Sequence, residues 1–299
     1  MRAILQPILA EALARLSERP DSEAVNNLAL KLAEHHDTAK ASGTLAEFKS
    51  ACQDHPIAKI ILEDPYVRRA FDKPRGYAGD AVMLDFIYKP GQVNASPLGT
   101  AIHAATTALP NAQSIIWRRD YLARKIALAM ERKPTARVFS VASGHMREIE
   151  VLAATTELRN VEIWALDQDA TSIEECLRSY SDFNIVPFNK SVSFLLRMQI
   201  QEKFDLIYSA GLADYLPDKT LIALLRALGG HLAPGGMVTV GNFTPDSHGR
   251  GFMEGFMDWS LIYRDETDLT RLAKSALPGA SYQTFRDDPG NVAYIEIRK

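Results

Sequence analysis

The sequence predicts an α/β chain in which an all-helical half precedes a mostly parallel, helix-covered sheet that closes on an antiparallel hairpin. Three observations carry that expectation. Residues 1 to about 130 show helical periodicity without an alternating strand pattern. From Arg137 onward, short β-branched runs alternate with amphipathic stretches, and residues 281–299 read as two strands around a turn.

In the first half, Pro20, Gly43, Pro56, Pro65, Pro74, Pro90, Pro97 and Pro110 punctuate stretches of helical spacing. The opening MRAILQPILAEALARL places Ile4, Ile8, Leu9, Leu13 and Leu16 near one helical face, and Glu11 and Arg15 interrupt it as they would not interrupt a secretory signal. The expected domains are 1–130, a helical cap or substrate domain, and 131–299, which carries the sheet.

The strands expected in the second half are ARVFSVAS, VEIWALD, FNIVPF, FDLIYSA and GGMVTVGNF, followed by the hairpin SYQTFRDDPGNVAYIEIRK with Asp287-Asp288-Pro289-Gly290 at its turn. The stretch VFSVASGHMREIE runs from an apolar strand through a small-residue turn into a helix, as a nucleotide-like cofactor site does. Five parallel strands finished by a hairpin, with that turn after the first, point to the methyltransferase variant of the Rossmann-like fold.

Composition narrows the function. A net charge of -3 gives no electrostatic reason to hold nucleic acid. Two cysteines far apart suggest neither a disulfide framework nor a zinc site, so a reducing, cytoplasmic setting is expected. No segment has the ~18 uncharged apolar residues of a membrane span. No metal and no membrane partner are expected, and a homodimer is admitted.

Ligands of open α/β sheets gather at the carboxyl ends of the strands. Here those ends supply Ser140, Ala142, Gly144 and His145 from the first turn, and Asp167 and Gln168 from the second. Asn189 from the third and Ser209 and Gly211 from the fourth complete the set. A carboxylate at Asp167, about twenty residues past the turn, suits the two hydroxyls of a ribose. A pyrophosphate needs close backbone approach at a glycine-rich turn, which a phosphate-free cofactor does not, so the single Gly144 favours S-adenosylmethionine over a nicotinamide dinucleotide. Asp167 as a helix cap and Gly144 as a mere turn residue are the bland readings.

Across residues 136–299 the chain resembles class I S-adenosylmethionine-dependent methyltransferases, with LAPGGMVTVGNF as a frequent turn of that superfamily. KPRGYAGD, YSAGLADYLPD and GNFTPDSHGRGFMEGFMDWSLIYR resemble the bacterial 3-hydroxypalmitic acid methyl ester biosynthesis methyltransferases. Members tend to carry G-C-G-P-G-R-E where this chain has Ala142, Ser143, Gly144, His145, Met146, Arg147 and Glu148. The resemblance implies methyl transfer to a small molecule.

On the acceptor side, Arg75 and Tyr77 in PRGYAGD, Tyr215 at the fourth strand end, and Asn242 and Arg250 are expected to orient the acceptor. Phe252, Phe256, Trp259 and Tyr263 recur at helical spacing, as an apolar wall for substrate or as core. The expected reaction is O-methylation of a carboxylate or hydroxyl of an organic or fatty acid. Its alternatives are N-methylation of a small amine and a catalytically inactive, ligand-binding relative of these enzymes.

Overall fold

The computed structural model describes residues 1–154, 161–197 and 200–298. In chain order the helices are α1 (Arg2–Glu18), α2 (Ser22–Ala41), α3 (Leu45–Asp54), α4 (Ile57–Ile61), α5 (Pro65–Asp72), α6 (Ala81–Tyr88), α7 (Pro97–Thr107) and α8 (Pro110–Arg132). Then follow β1 (Arg137–Val141), α9 (Glu148–Ala153), β2 (Glu162–Asp167), α10 (Ala170–Ser179), β3 (Asn184–Asn189), α11 (Val192–Leu195) and β4 (Phe204–Ser209). The chain ends with α12 (Asp218–Gly230), β5 (Leu232–Phe243), α13 (Arg250–Phe256), α14 (Glu266–Ala276), β6 (Ser281–Arg286) and β7 (Val292–Arg298).

Two compact units result, one of Met1–Ile116 with Asp246–Ser260 and one of Trp117–Pro245 with Leu261–Lys299. The boundary expected near 130 thus falls inside α8 in sequence, and the division lies at 116/117. Among the described residues, no helix is long and apolar enough to cross a membrane.

The first unit is helical because its punctuation is obeyed. Pro65 and Pro97 sit in first turns, where a missing N–H costs nothing. The side chains of Asp21, Asp64, Asp80 and Ser96 accept from backbone N–H groups two or three residues on and cap α2, α5, α6 and α7. Helix α1 buries Leu5, Leu9 and Leu16. Ile4, expected on that face, is 50% exposed, because the buried stripe runs one residue further along the helix.

Helix α13 belongs to this unit although it lies late in the sequence. Every residue of it after Arg250 is buried. Arg250 forks onto Asp37 (Nε to Oδ1 2.8 Å), His36 Nε2 lies 3.1 Å from Glu254, and Asp258 binds Lys49 (3.0 Å) and Lys73. Of the apolar stripe expected from the sequence, Phe252 and Phe256, each 1% exposed, and Trp259, 6% exposed, are core, while Tyr263 is half-buried and belongs to the other unit. The helix stops at Phe256, short of Trp259 and Tyr263, and Asp258, at φ 46°, takes a left-handed turn.

The second unit holds a seven-stranded sheet of order β3-β2-β1-β4-β5-β7-β6. Strands β1 to β5 pair in parallel, while β7 runs antiparallel to both β5 and β6, so the expected fold is the observed one. Pro187 is tolerated in β3 because that strand is an edge. Phe139, Val141, Phe204, Ile207, Val238, Val240, Ile295 and Ile297 form one core cluster with residues of α12 and α14. Each such side chain contributes roughly 1.5–3 kcal/mol by leaving water.

Gly251 offers a direct test of how α13 is seated. A Cβ there would lie 2.3 Å from the Leu32 carbonyl oxygen, which belongs to the backbone and cannot rotate away. Gly251→Ala is expected to lower stability by about 1–3 kcal/mol despite the better helix propensity of alanine. Urea unfolding at wild-type stability would show that α13 does not pack against α2.

Candidate cofactor site

Strands β1 and β4 are neighbours although β2 and β3 separate them in sequence, so the sheet reverses its direction of growth between them. In open α/β sheets the crevice outside the strand ends at such a switch point takes the ligand. Three hydrogen bonds stitch these ends together. Ser209 Oγ donates to the Val141 carbonyl (2.9 Å), the Ser143 N–H to the Leu166 carbonyl (3.0 Å), and the Gly144 N–H to Asp167 Oδ2 (2.9 Å).

The turn itself alternates into the left-handed region, with φ 57° at Ala142, 54° at Gly144 and 51° at Met146. These are the three positions where the G-C-G-P-G-R-E pattern places glycine. This chain keeps the glycine-shaped backbone with two L-residues, at about 1–2 kcal/mol each. Helix α10 faces the turn: Cys176 Sγ donates to the Gly144 carbonyl (3.2 Å), Tyr180 Oη to the His145 carbonyl (3.3 Å), and Arg147 Nη2 pairs with Glu175 (3.0 Å).

Asp167 is 7% exposed, and burial raises its pKa against the opposing pull of the Asp169 and Gly144 N–H groups. Each carboxylate oxygen accepts one of those bonds. A carboxylate offers about four acceptor positions, so each oxygen retains one. Asn189 Nδ2 donates to the Asp167 carbonyl (3.0 Å), and both Asn189 and Gln168 are exposed beside the strand ends. His145 is buried, and Ser143 Oγ is shielded from solvent without a hydrogen-bond partner.

Ser140 lies deeper. It is 1% exposed and stands opposite Tyr208 in the β1–β4 register; the Tyr208 hydroxyl donates to Glu148, and burial raises both the Glu148 carboxyl and the Tyr208 phenol. Arg118, which the sequence reading missed, holds the end of β4 by donating from Nη1 to the Ala210 carbonyl (2.9 Å). A Cβ at Gly211 would come within 3.1 Å of that nitrogen, a contact a small shift of the guanidinium would relieve.

Between β4 and β5 a second polar knot forms. Asp214 accepts the Phe243 N–H (2.7 Å), and its carbonyl accepts the Ile262 N–H (2.8 Å). Arg264, 2% exposed, donates to Asp218, Asn242 Oδ1 and the carbonyls of Ala213 and Leu216. The amide nitrogen of Asn242 goes to the Phe243 and Ile262 carbonyls, each at 2.9 Å. Tyr215, by contrast, is 36% exposed at the end of a 3-10 turn, Ala213–Tyr215.

The structure thus gathers Ala142, Gly144, His145, Asp167, Gln168, Asn189 and Ser209 around the switch point, and sets Asn242 in the knot beside β5. Arg75 and Tyr77 are half-buried in the first unit. Arg250 belongs there too and donates to Asp37 and the Ser247 carbonyl (2.7 Å). Asp80 pairs with Arg69, at 2.8 Å, and caps α6.

Asp214 gives a pH-dependent prediction. Burial pushes its carboxyl up to about 6, offset in part by the Phe243 N–H and by Arg118 and Arg264. The folded protein then holds this proton more tightly than the unfolded chain, so stability is lost as pH rises from about 4 through about 6. Asp214→Asn removes that titration while leaving an oxygen for the Phe243 N–H. The unfolding free energy of the wild type relative to this variant is expected to fall by about 2–3 kcal/mol over the window. Parallel pH profiles in urea titrations would count against it.

No protein-family model and no curated protein matches the chain. Among solved structures, it is similar to a possible exported protein from Bordetella parapertussis, with TM-score 0.59 and 18% identity over 87% of this chain and 96% of the other. It is also similar to magnesium protoporphyrin IX methyltransferase (ChlM) from Synechocystis with bound SAM, with TM-score 0.48 and 10% identity over 73% and 95% of the two chains. For N-methyltransferase NodS from Bradyrhizobium japonicum in complex with S-adenosyl-L-homocysteine, the TM-score is 0.45 and the identity 17%, over 61% and 87%. At these identities the Bordetella match speaks to the shared fold.

Proposed function

We propose that the second unit binds S-adenosylmethionine at its β1–β4 switch point and that the protein transfers the cofactor's methyl group to a small-molecule acceptor. The observation that carries this reading is the buried Asp167 carboxylate, which grips the turn after β1 through Gly144 and keeps acceptor positions for a ribose diol. When bound, the cofactor supplies an electrophilic methyl on a sulfonium.

The chain's own residues fit that group. Ser143 Oγ, shielded and unpartnered within the turn, is a polar atom waiting for a ligand group. Asn189 and Gln168, exposed beside Asp167, are placed to flank the adenine. The antiparallel β7 between β5 and β6 supports this cofactor over a dinucleotide, since the dinucleotide-binding order lacks it.

A carboxylate or hydroxyl of an organic or fatty acid is the acceptor we favour, on the resemblance carried by KPRGYAGD and YSAGLADYLPD. A carboxylate needs holding and no base, and methyl transfer needs little beyond alignment. Tyr215 is the proposed acceptor-orienting residue of the second unit. Asn242 and Arg250, whose donors are committed to backbone and to Asp37, act by fixing their own segments. Two free, buried cysteines, Cys52 and Cys176, support a reducing, cytoplasmic setting.

Calorimetric titration with S-adenosylhomocysteine tests the reading, and Asp167→Asn is expected to weaken binding by about tenfold or more, with some loss of melting temperature because one of the two backbone N–H groups loses its acceptor. Wild-type protein that fails to bind would overturn it. With binding in hand, incubation with cofactor and a panel of carboxylic acids, phenols and amines, read as one added methyl by mass spectrometry, identifies the acceptor. Methylation of an amine alone would replace the O-methylation reading with its N-methylation counterpart.

A further inference from the structure

We propose that α10 is a bracket for the strained turn after β1, with Cys176 and Tyr180 as the positioning residues that let Ala142 and Met146 occupy backbone shapes suited to glycine. This deepens the cofactor reading and rests on it for its purpose.

The argument begins with the cost of the turn. Three left-handed residues alternate over five positions, and two of them carry a Cβ. Such strain persists only where the surroundings over-determine it. The hydrogen bond to Asp167 fixes the turn at the Gly144 N–H, on the side of β2. The carbonyls of Gly144 and His145 need partners of their own, and both are met from α10.

Tyr180 closes α10 as its C-cap, four residues after Cys176, and both side chains reach the turn. The thiol reaches the Gly144 carbonyl and the phenol reaches the His145 carbonyl. Glu175, next to Cys176, takes Arg147, the residue at which the turn passes into α9. Helix α10 therefore touches the turn at 144, 145 and 147, around the second strained residue, Met146. Burial raises the pKa of both Cys176 and Tyr180, so each keeps the proton that it donates. A helix whose first turn is capped by Asp169, itself bonded to Asp167, is anchored to the same strand end that holds the ribose carboxylate.

The consequence concerns ligand affinity. A turn free to relax would have to be re-formed whenever the cofactor entered, and the fraction of competent molecules would set the apparent affinity. The bracket removes that loss without glycine.

The test uses the full chain in six forms: wild type, Cys176→Ala, Cys176→Ser, Tyr180→Phe, Ala142→Gly, and the Cys176→Ala/Ala142→Gly double variant. Amide hydrogen exchange of residues 142–147 in the ligand-free protein is measured beside calorimetric affinity for S-adenosylhomocysteine. Cys176→Ala and Tyr180→Phe are expected to speed exchange in this segment and weaken affinity roughly three- to tenfold. Cys176→Ser restores both, and Ala142→Gly blunts the effect of Cys176→Ala because the strain to be held is smaller. Wild-type exchange in both deletion variants would overturn the bracket. If the wild type itself binds no S-adenosylhomocysteine, the cofactor reading falls, while the exchange arm still decides the bracket.

Discussion

The hydrogen bond from the Gly144 N–H to the Asp167 carboxylate joins the first two strand ends and settles much of what lies around them. In the β1–β2 register Val141 stands opposite Leu166, so Ala142 and Asp167 are each the next residue along. A slip of one residue would turn the carboxylate to the other face of the sheet, away from the turn. Burying a carboxylate is costly unless it is hydrogen-bonded. Here two backbone N–H groups meet that cost, one from each of the loops that follow β1 and β2. The group that ties the loops together is also the one that keeps acceptor capacity, so the shape of the strand ends and the proposed recognition would share one side chain.

The other flank of the switch point is held by different chemistry. Strands β4 and β5 carry no acid facing the turn; instead Arg118, Asp214, Asn242 and Arg264 convert loop carbonyls and N–H groups into a fixed frame. Arg264 spends all its donors on four partners, a use of its rigid fork that lysine could not match. Tyr215 is left outward at the end of this frame. A site built on such supports keeps its geometry when empty, which is what alignment-limited chemistry requires.

The sheet was legible in the sequence because each strand is a short apolar run bounded by its own turn chemistry, and the hairpin carries a glycine at its left-handed position, Gly290, φ 81°. The helical half was legible because Pro65, Pro97 and Pro110 open helices while Pro20 and Pro74 fall between them, although Pro7 sits inside α1. The strand ends could be read for the same reason, since the fold fixes where they lie. Arg118, Tyr180 and Asp214 were not readable. Their roles arise from partners 92, 35 and 29 residues away, and nothing local separates Arg118 from its neighbour Arg119. The left-handed backbone at Ala142 and Met146 was hidden as well, because neither residue is the glycine that usually reveals such a conformation.

The segment 246–260 shows how a misleading stripe could have been read correctly. Phe252, Phe256 and Trp259 suggest a substrate wall if only the apolar residues are counted. The glycines say otherwise. Glycine inside a helix costs about 1 kcal/mol relative to alanine, so it persists where close packing repays it. Gly251 and Gly255 lie four apart and meet different helices, the Leu32 backbone of α2 and Cys52 of α3, while Gly249 lies against Asn111. A short helix with close approaches on this many sides, and buried all round, cannot also present a wall to a ligand. Small residues at helical spacing within an apolar run therefore mark a helix packed on every side, and that reading needs no structure to make.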